Sequence, residues 1–238
     1  MKIFIAGGTG FVGNHLKQEL LSSGHELRLL VHKRTSDNGN GMELVDGDVT
    51  VQESLVHAMK GCEAVINLVG IIREFSSQGM TFERLHVQAT ANMVDAADKA
   101  GIGRYLQMSA LGTRPDAVSN YHKTKFRAEE LVHASGLDWT ILRPSLIYGP
   151  GDAFVNMLAA QMRLSPVMPV IGNGRYRLQP IHAADVARCF ALSLEMTETI
   201  GKCFELCGNE RFSFDELLDI VAAAMGKSAP LNPMHLLG

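Results

Sequence analysis

The sequence predicts a doubly wound α/β fold, a parallel sheet with helices on both faces, followed by a small C-terminal α+β lobe. Three observations carry this expectation. An apolar run at residues 3–6 breaks into glycines and then at once into an amphipathic run, a strand–turn–helix at the start of the chain. Short apolar runs then alternate with helix-period segments as far as residue 145, the pattern of a parallel sheet. Beyond that point the alternation loosens into short strands, turns and helices. The expected organisation is therefore a core over residues 1–145 and a lobe over 146–238.

The opening turn reads Gly7-Gly8-Thr9-Gly10-Phe11-Val12-Gly13. Gly7 can make the tight turn, Gly10 can let a pyrophosphate approach the backbone, and Gly13 can let the helix pack closely on the strand. Backbone N–H groups contributed by Thr9, Gly10, Phe11, Val12 and Gly13 then face the phosphates. A tight turn that binds nothing is the plain alternative. The setting, a strand before and a helix after in the first βα unit, favours a dinucleotide site of the Rossmann type.

A second strand is expected over 26–31, ending in His32-Lys33-Arg34. An acid about twenty residues past the glycine turn would hold the ribose 2′-hydroxyl of NAD. Three potentially cationic side chains stand there instead, which favours the 2′-phosphate of NADP(H) over NAD(H); a solvated basic loop is the alternative. A polar loop over 36–41 precedes a third strand at 42–45. Asp48 and Val49 follow, with Asp48 placed either to meet an adenine or to cap a helix over 51–59. The next strand, 63–68, runs into Leu68-Val69-Gly70. Its carboxyl end should lie beside that of the first strand, where open parallel sheets bind ligands. The loop 71–80 carries an Arg73-Glu74 pair of no evident role. One long helix is expected over 81–100, with Phe82, Leu85, Ala89, Met93, Ala96 and Ala100 on its apolar face. A strand at 104–108 ends at Ser109, a helix opens at Tyr121, and a strand at 137–142 ends in Arg143-Pro144-Ser145. In the lobe, helices are expected over 154–162, 183–194 and 214–225, with a strand at 203–206. Gly172-Asn173-Gly174 reads as a turn between two short strands. The lobe is expected to close over the nucleotide site.

Tyr121 and Lys125 are four residues apart and share a helix face. An ammonium beside a phenol lowers the tyrosine pKa, and such a tyrosine can exchange the proton that accompanies hydride transfer at a carbinol. Lys125 can also hold a nicotinamide ribose, and Ser109 can hydrogen-bond a substrate oxygen. Each feature alone is common by chance; the set behind a dinucleotide turn points to chemistry.

With these motifs in order, the chain resembles the extended or atypical short-chain dehydrogenases/reductases, the NAD-dependent epimerase/dehydratase-like proteins. The resemblance is carried by residues 7–13, Gly47-Asp48-Val49, Asn67-Leu68-Val69-Gly70, Ser109, Tyr121-x-x-x-Lys125, Arg143-Pro144-x-x-Ile147-Tyr148-Gly149 and Gln179-Pro180-Ile181-His182-x-x-Asp185-Val186-Ala187. Within that group it most resembles the branch holding the nucleotide-binding accessory subunit of respiratory complex I and its bacterial relatives, through residues 67–72, 108–112 and 140–145. The resemblance implies NAD(P) on the glycine turn, with Asp48 and Val49 at the adenine. It sets Leu68, Val69 and Gly70 along the ribose and nicotinamide side, and Pro144 and Ile147 at the carboxamide end. Tyr121 and Lys125 would hold the nicotinamide ribose, and Ser109, Tyr121 and Lys125 would form a catalytic triad. The implied activity is that of an oxidoreductase or an epimerase/dehydratase acting on an unidentified small molecule. The complex I branch implies a different role, a non-catalytic NADPH-binding structural or regulatory protein in peripheral association with a membrane complex. Two departures stand out. Many members carry an asparagine in the long central helix that helps relay protons. His86 occupies that place, as a proton carrier or as a plain buried or capping histidine. Members also run on past residue 238, so the lobe reads as reduced or truncated.

Composition bounds the rest. The 238 residues are 46% hydrophobic, enough for one large domain with an ample core. A net charge of −3 with interspersed signs argues against a nucleic-acid surface. Cys62, Cys189, Cys203 and Cys207 contain no Cys-x-x-Cys pair and read as reduced, mostly buried thiols, with the cytoplasm as the expected compartment. No apolar run has the length of a membrane span, and the N-terminal run reads as a first strand rather than a signal peptide. The histidines show no metal-ligand spacing, so no metal site is expected.

Overall fold

The computed structural model describes residues 1–32, 41–165, 167–227 and, as backbone, 232–236. The strands are β1 (Lys2–Ala6), β2 (Glu26–Val31), β3 (Met42–Asp46), β4 (Ala64–Asn67), β5 (Arg104–Met108), β6 (Asp138–Pro144), β7 (Ile147–Tyr148), β8 (Val167–Ile171), β9 (Arg177–Leu178), β10 (Ile181–His182), β11 (Lys202–Leu206), β12 (Phe212–Ser213) and β13 (Asn232–Leu236). The α-helices are α1 (Phe11–Ser22), α2 (Gln52–Met59), α3 (Ala89–Lys99), α4 (Asn120–His133), α5 (Phe154–Leu164), α6 (Ala183–Glu195) and α7 (Phe214–Ala224). The chain divides into two units, Met1–Pro144 with Ala184–Leu206, and Ser145–Ala183 with Cys207–Gly238.

The first unit is built on a seven-stranded sheet in the order β11-β6-β5-β4-β1-β2-β3, parallel at every pairing. Strands covered on both faces must be apolar on both, and Ile3, Phe4, Ile5, Val65 and Ile66 are all fully buried. Phe4, Val65 and Tyr105 pack with Leu55 and Met59 of α2, Met93 and Ala96 of α3 and Val132 of α4. This is the doubly wound Rossmann-type sheet that the alternation predicts. Strand order reverses at β1, which sets β1 beside β4 with Ala6 opposite Asn67. The Leu68 N–H donates to the Ala6 carbonyl at 2.9 Å, so the chain leaving β4 passes directly over the turn leaving β1. Such a switch point is where open parallel sheets present a ligand crevice.

The first unit departs from expectation in two places. Residues 184–206 belong to the first unit, not to the C-terminal lobe: β11 extends the sheet by pairing with β6, from Lys202 opposite Thr140 to Leu206 opposite Pro144. Arg104 fixes this edge by donating to Thr140 Oγ1, Thr199 Oγ1 and the Ser193 carbonyl. The long central helix is also not uniform. Its first part, Glu83–Gln88, is a π-helical turn that continues into α3. The wider turn shifts the buried stripe to His86, Ala89, Thr90, Met93, Ala96 and Ala97, and leaves Leu85 half-buried.

In the second unit, β7 pairs with β10, β9 with β12 and β8 with β13. Leu158 and Met162 of α5 pack with Met168, Val170, Phe214, Leu218 and Val221. The turn at Gly172 and Gly174 is present, both at positive φ, but the strands either side of it pair elsewhere rather than with each other. None of the four cysteines forms a disulfide; only Cys62 is buried and Cys203 is exposed, because its strand is the sheet edge. Among the described residues no helix is long and apolar enough to cross a membrane.

Candidate functional site

The turn between β1 and α1 is defined by side chains it cannot carry. Gly7 sits at φ +79°, and a Cβ there would meet the Leu68 carbonyl carbon at 3.0 Å. A Cβ at Gly13 would lie 2.6 Å from the carbonyl carbon and oxygen of Gly8. At Gly10 only the Gly7 carbonyl oxygen is near, at 3.2 Å, so its outer side is open. Gly10 is the N-cap of α1, and no side chain caps the helix. Thr9 and Gly10 are exposed, Phe11 is half-buried with its ring edge-on to His15, and Val12 and Gly13 are buried. A bare turn leading to an uncapped helix start is the donor set that a pyrophosphate takes, so these residues fit a dinucleotide.

The turn after β3 is closed by Asp48, whose Oδ1 accepts from the Thr50 N–H and hydroxyl, both at 2.7 Å. Burial alone would raise this carboxyl, but the Thr50 hydrogen bonds, helped by the charges of His32 and Arg84, hold it below its ordinary value. Asp48 is thus not the cap of α2, a position held by Val51. Val49 is buried, and its carbonyl accepts from Asn92 Nδ2. His32 is exposed at the end of β2, while Lys33 and Arg34 lie outside the described residues.

The chain leaving β4 is held from beneath. Asn67, 1% exposed, accepts the Val69 N–H on Oδ1 at 3.0 Å and donates through Nδ2 to Gln107 Oε1 and the Tyr105 hydroxyl. Lys125 of α4 reaches the same place: Nζ donates to the Met108 carbonyl at 3.1 Å and to the Val69 carbonyl at 3.4 Å. Burial lowers the Lys125 ammonium to about 8, with Glu129 partly opposing. Glu129, fully buried, takes a two-pronged ion pair from Arg143 at 2.9 and 2.5 Å. Ser109, next to Met108, is buried, with its N–H on the Leu142 carbonyl and its Oγ directed to Thr113 Oγ1 at 3.4 Å. Tyr121 lies one turn before Lys125, half-buried against Phe82, His86 and His122.

Ser109, Tyr121 and Lys125 therefore stand at the end of β5 and the start of α4, with Leu68, Val69 and Gly70 across from Lys125. One expectation about them fails. Burial pushes the Tyr121 phenol up, and the Lys125 ammonium is turned to the Val69 and Met108 carbonyls. Pro144 is buried, its carbonyl accepting from Leu111, whereas Ile147 lies half-buried in the second unit, opposite Ile181. There β7 and β10 join the segments around residues 147 and 181, with the Tyr148 and His182 rings edge to face at 5.3 Å. The contacts of several residues in this region escape sequence reasoning. Glu74 accepts the Phe82 N–H at 2.7 Å, and Arg84 donates to Thr50 Oγ1 at 3.1 Å. Asn67, Gln107 and Thr124 join side chains 38 or 40 residues apart, beyond the reach of any local pattern. Among the described residues no group of His, Cys, Asp or Glu could hold a metal ion.

Comparison with known proteins identifies the family. The model of the NAD dependent epimerase/dehydratase family matches residues 3–207. Among curated relatives, the mitochondrial NADH dehydrogenase (ubiquinone) 1 alpha subcomplex subunit 9 of Dictyostelium discoideum is 28% identical over 96% of this chain and 65% of its own length. The ceramide reductase of Caulobacter vibrioides is 33% identical over 78% of this chain and 58% of its own length. The chain thus spans less than two thirds of the length of these relatives. Among solved structures, MoeE5 in complex with UDP-glucuronic acid and NAD superposes with a TM-score of 0.83, covering 100% of this chain and 85% of that one at 24% identity. At that identity the likeness speaks for the fold alone. A glycine turn that only glycines can make, a buried lysine one turn after a tyrosine, and a family match over most of the chain give one conclusion: the chain belongs to the NAD dependent epimerase/dehydratase family.

Proposed function

We propose that the protein is an NAD(P)-dependent oxidoreductase or epimerase/dehydratase in which Tyr121 exchanges a proton at a carbinol or carbonyl, Lys125 holds the nicotinamide ribose and Ser109 orients the substrate oxygen. The observation that carries this reading is Lys125, an ammonium only 2% exposed and aimed by the Val69 and Met108 carbonyls at the switch point of the sheet. A buried charge is costly, and such groups concentrate at functional sites. Bound nicotinamide supplies the hydride acceptor or donor. The chain supplies the cradle: residues 7–13 for the pyrophosphate, Asp48 and Val49 for the adenine, Leu68, Val69 and Gly70 for the ribose side, and Pro144 for the carboxamide. His32, Lys33 and Arg34 favour NADPH over NADH, whereas the MoeE5 complex holds NAD. A panel of small carbonyl compounds and nucleotide sugars, with ceramides added for the likeness to the ceramide reductase, tests the reaction class. Tyr121→Phe should lower kcat by roughly a hundredfold or more while leaving nucleotide affinity unchanged. Full activity in that variant would sink the assignment.

A second reading, a non-catalytic nucleotide-binding subunit, draws on the raised Tyr121 pKa and the complex I relatives. It predicts that the nucleotide survives purification, exchanges slowly, and that no member of the panel turns over. In that case the nucleotide stabilises the fold by binding only its native state.

A further inference from the structure

His86 is 1% exposed, sits in the π-helical turn, and is engaged at both ring nitrogens. Nδ1 lies 2.9 Å from Thr124 Oγ1 on α4. Nε2 lies 3.3 Å from the Ile71 amide nitrogen and 3.1 Å from the Ile71 carbonyl oxygen. We propose that His86 is a positioning residue that latches the backbone at Ile71 to α4 and so fixes Gly70 and Val69 against the Lys125 ammonium; this role rests on the reading of Lys125 as the ribose-holding residue.

Either neutral tautomer completes the latch. With the proton on Nδ1, the ring donates to Thr124 and accepts the Ile71 N–H. With the proton on Nε2, it donates to the Ile71 carbonyl and accepts from the Thr124 hydroxyl. A cation would also reach both partners, donating to the Ile71 carbonyl and to the Thr124 hydroxyl oxygen, so the contact does not itself require a neutral ring. Burial first, and then the nearby Lys125 charge, lower the ring to about 3. The packing is close enough to transmit position: a Cβ on Gly70 would meet Lys125 Nζ at 2.9 Å and His86 Nε2 at 3.7 Å. The Phe82 ring stacks on His86 at 5.2 Å, and the Tyr121 ring meets its edge at 5.4 Å, so the rotamer is fixed on both sides. The same geometry argues against a proton relay through this ring. The Thr124 hydroxyl otherwise ends on the Asn120 and Tyr121 carbonyls of its own helix, which pass no proton onward.

Amide hydrogen exchange at Ile71, nucleotide affinity measured with NADH and NADPH, and imidazole rescue together test the latch. His86→Ala should speed Ile71 exchange and weaken both nucleotides, each by roughly tenfold, the loss expected when buried hydrogen bonds go unmade. His86→Gln, which can still donate and accept at that reach, should recover most of both. A relay predicts the reverse: unchanged exchange and affinity, with lost turnover restored by added imidazole. Unchanged Ile71 exchange in His86→Ala overturns the proposal. If His86→Ala does not fold, Thr124→Val decides it: losing the α4 end of the latch should speed Ile71 exchange, and unchanged exchange in that variant overturns the proposal. Lys125→Ala separates this proposal from the site reading. Wild-type nucleotide affinity in that variant, together with fast Ile71 exchange in His86→Ala, would reject the site and leave the latch standing.

Discussion

The glycine turn after β1 and the polar cradle after β4 and β5 lie side by side in one sheet, yet they are made of opposite materials. The turn is shaped by absent side chains: Gly13 has no room for a Cβ, and the helix behind it carries no capping side chain. The cradle is shaped by side chains buried beneath it, with Asn67, His86, Lys125 and Glu129 all at most 2% exposed. A steric site of the first kind depends on residues a few positions apart. An electrostatic site of the second kind depends on partners from four or five elements, each of which must bring its hydrogen-bonding complement or leave a buried charge alone. The two should therefore fail differently when a single residue is changed.

The largest expected effect is in the cradle. Arg143→Met leaves the Glu129 carboxylate, fully buried, without its two-pronged partner. The cost should be about 3–5 kcal/mol in urea unfolding, most of it recovered when Glu129 is replaced by leucine as well. A loss below about 1 kcal/mol would show that packing rather than charge holds α4 to β6. In the turn, Gly13→Ala should cost about 1–3 kcal/mol, because the backbone of Gly8 must move by several tenths of an ångström. Gly10→Ala is the contrast. It meets only one atom, at 3.2 Å, so stability should change by less than about 1 kcal/mol. If the pyrophosphate approaches there, nucleotide affinity should fall nonetheless. Equal stability losses at the two glycines would erase the difference between a closed and an open face of the turn.

The same contrast explains what could be read without coordinates. Strands buried on both faces announce themselves as apolar runs, so β1 and β4 are legible. A turn that only glycine can make is legible because geometry restricts the residue type. The π-helical turn is not, since nothing in Glu-Arg-Leu-His-Val-Gln signals a change of period; it coincides with hydrogen bonds between the His86 ring and both Ile71 and Thr124. The edge strand β11 is legible as a strand but not as a member of the first sheet, because its partner β6 lies some sixty residues earlier and any exposed edge would have served. Of the site residues, the positions of Tyr121 and Lys125 on one helix follow from their spacing. What Lys125 touches does not, and neither does the burial that raises the Tyr121 pKa.

A pH series sharpens the comparison at intermediate cost. His86 is held at about 3 in the folded protein against an ordinary value of 6.5. Between these values the unfolded chain binds a proton that the native state does not, so stability falls as the pH drops below 6.5. The slope is at most about 1.4 kcal/mol per pH unit. Against His86→Gln, which has nothing to protonate, the wild-type protein should lose about 2 kcal/mol between pH 7 and pH 5. The glycine turn contains no titrating group, so Gly10→Ala should shift unfolding equally at both pH values.

The smallest effect belongs to the outer edge of the same helix contact. Arg127 of α4 reaches Glu83 in the π-helical turn through two hydrogen bonds, at 2.6 and 2.8 Å, a geometry as good as that of Arg143 with Glu129. Its side chains are 55% and 58% exposed. Water screens the attraction and solvates either partner left behind, so Arg127→Ala should cost less than about 1 kcal/mol, and less still in added salt. The two ion pairs use the same residue types on the same helix and differ chiefly in burial. If Arg127→Ala approached the cost of Arg143→Met, the cradle would owe its stability to tethering α4 at any depth. A small, salt-sensitive loss would locate the decisive charges where the structure buries them, beneath Lys125.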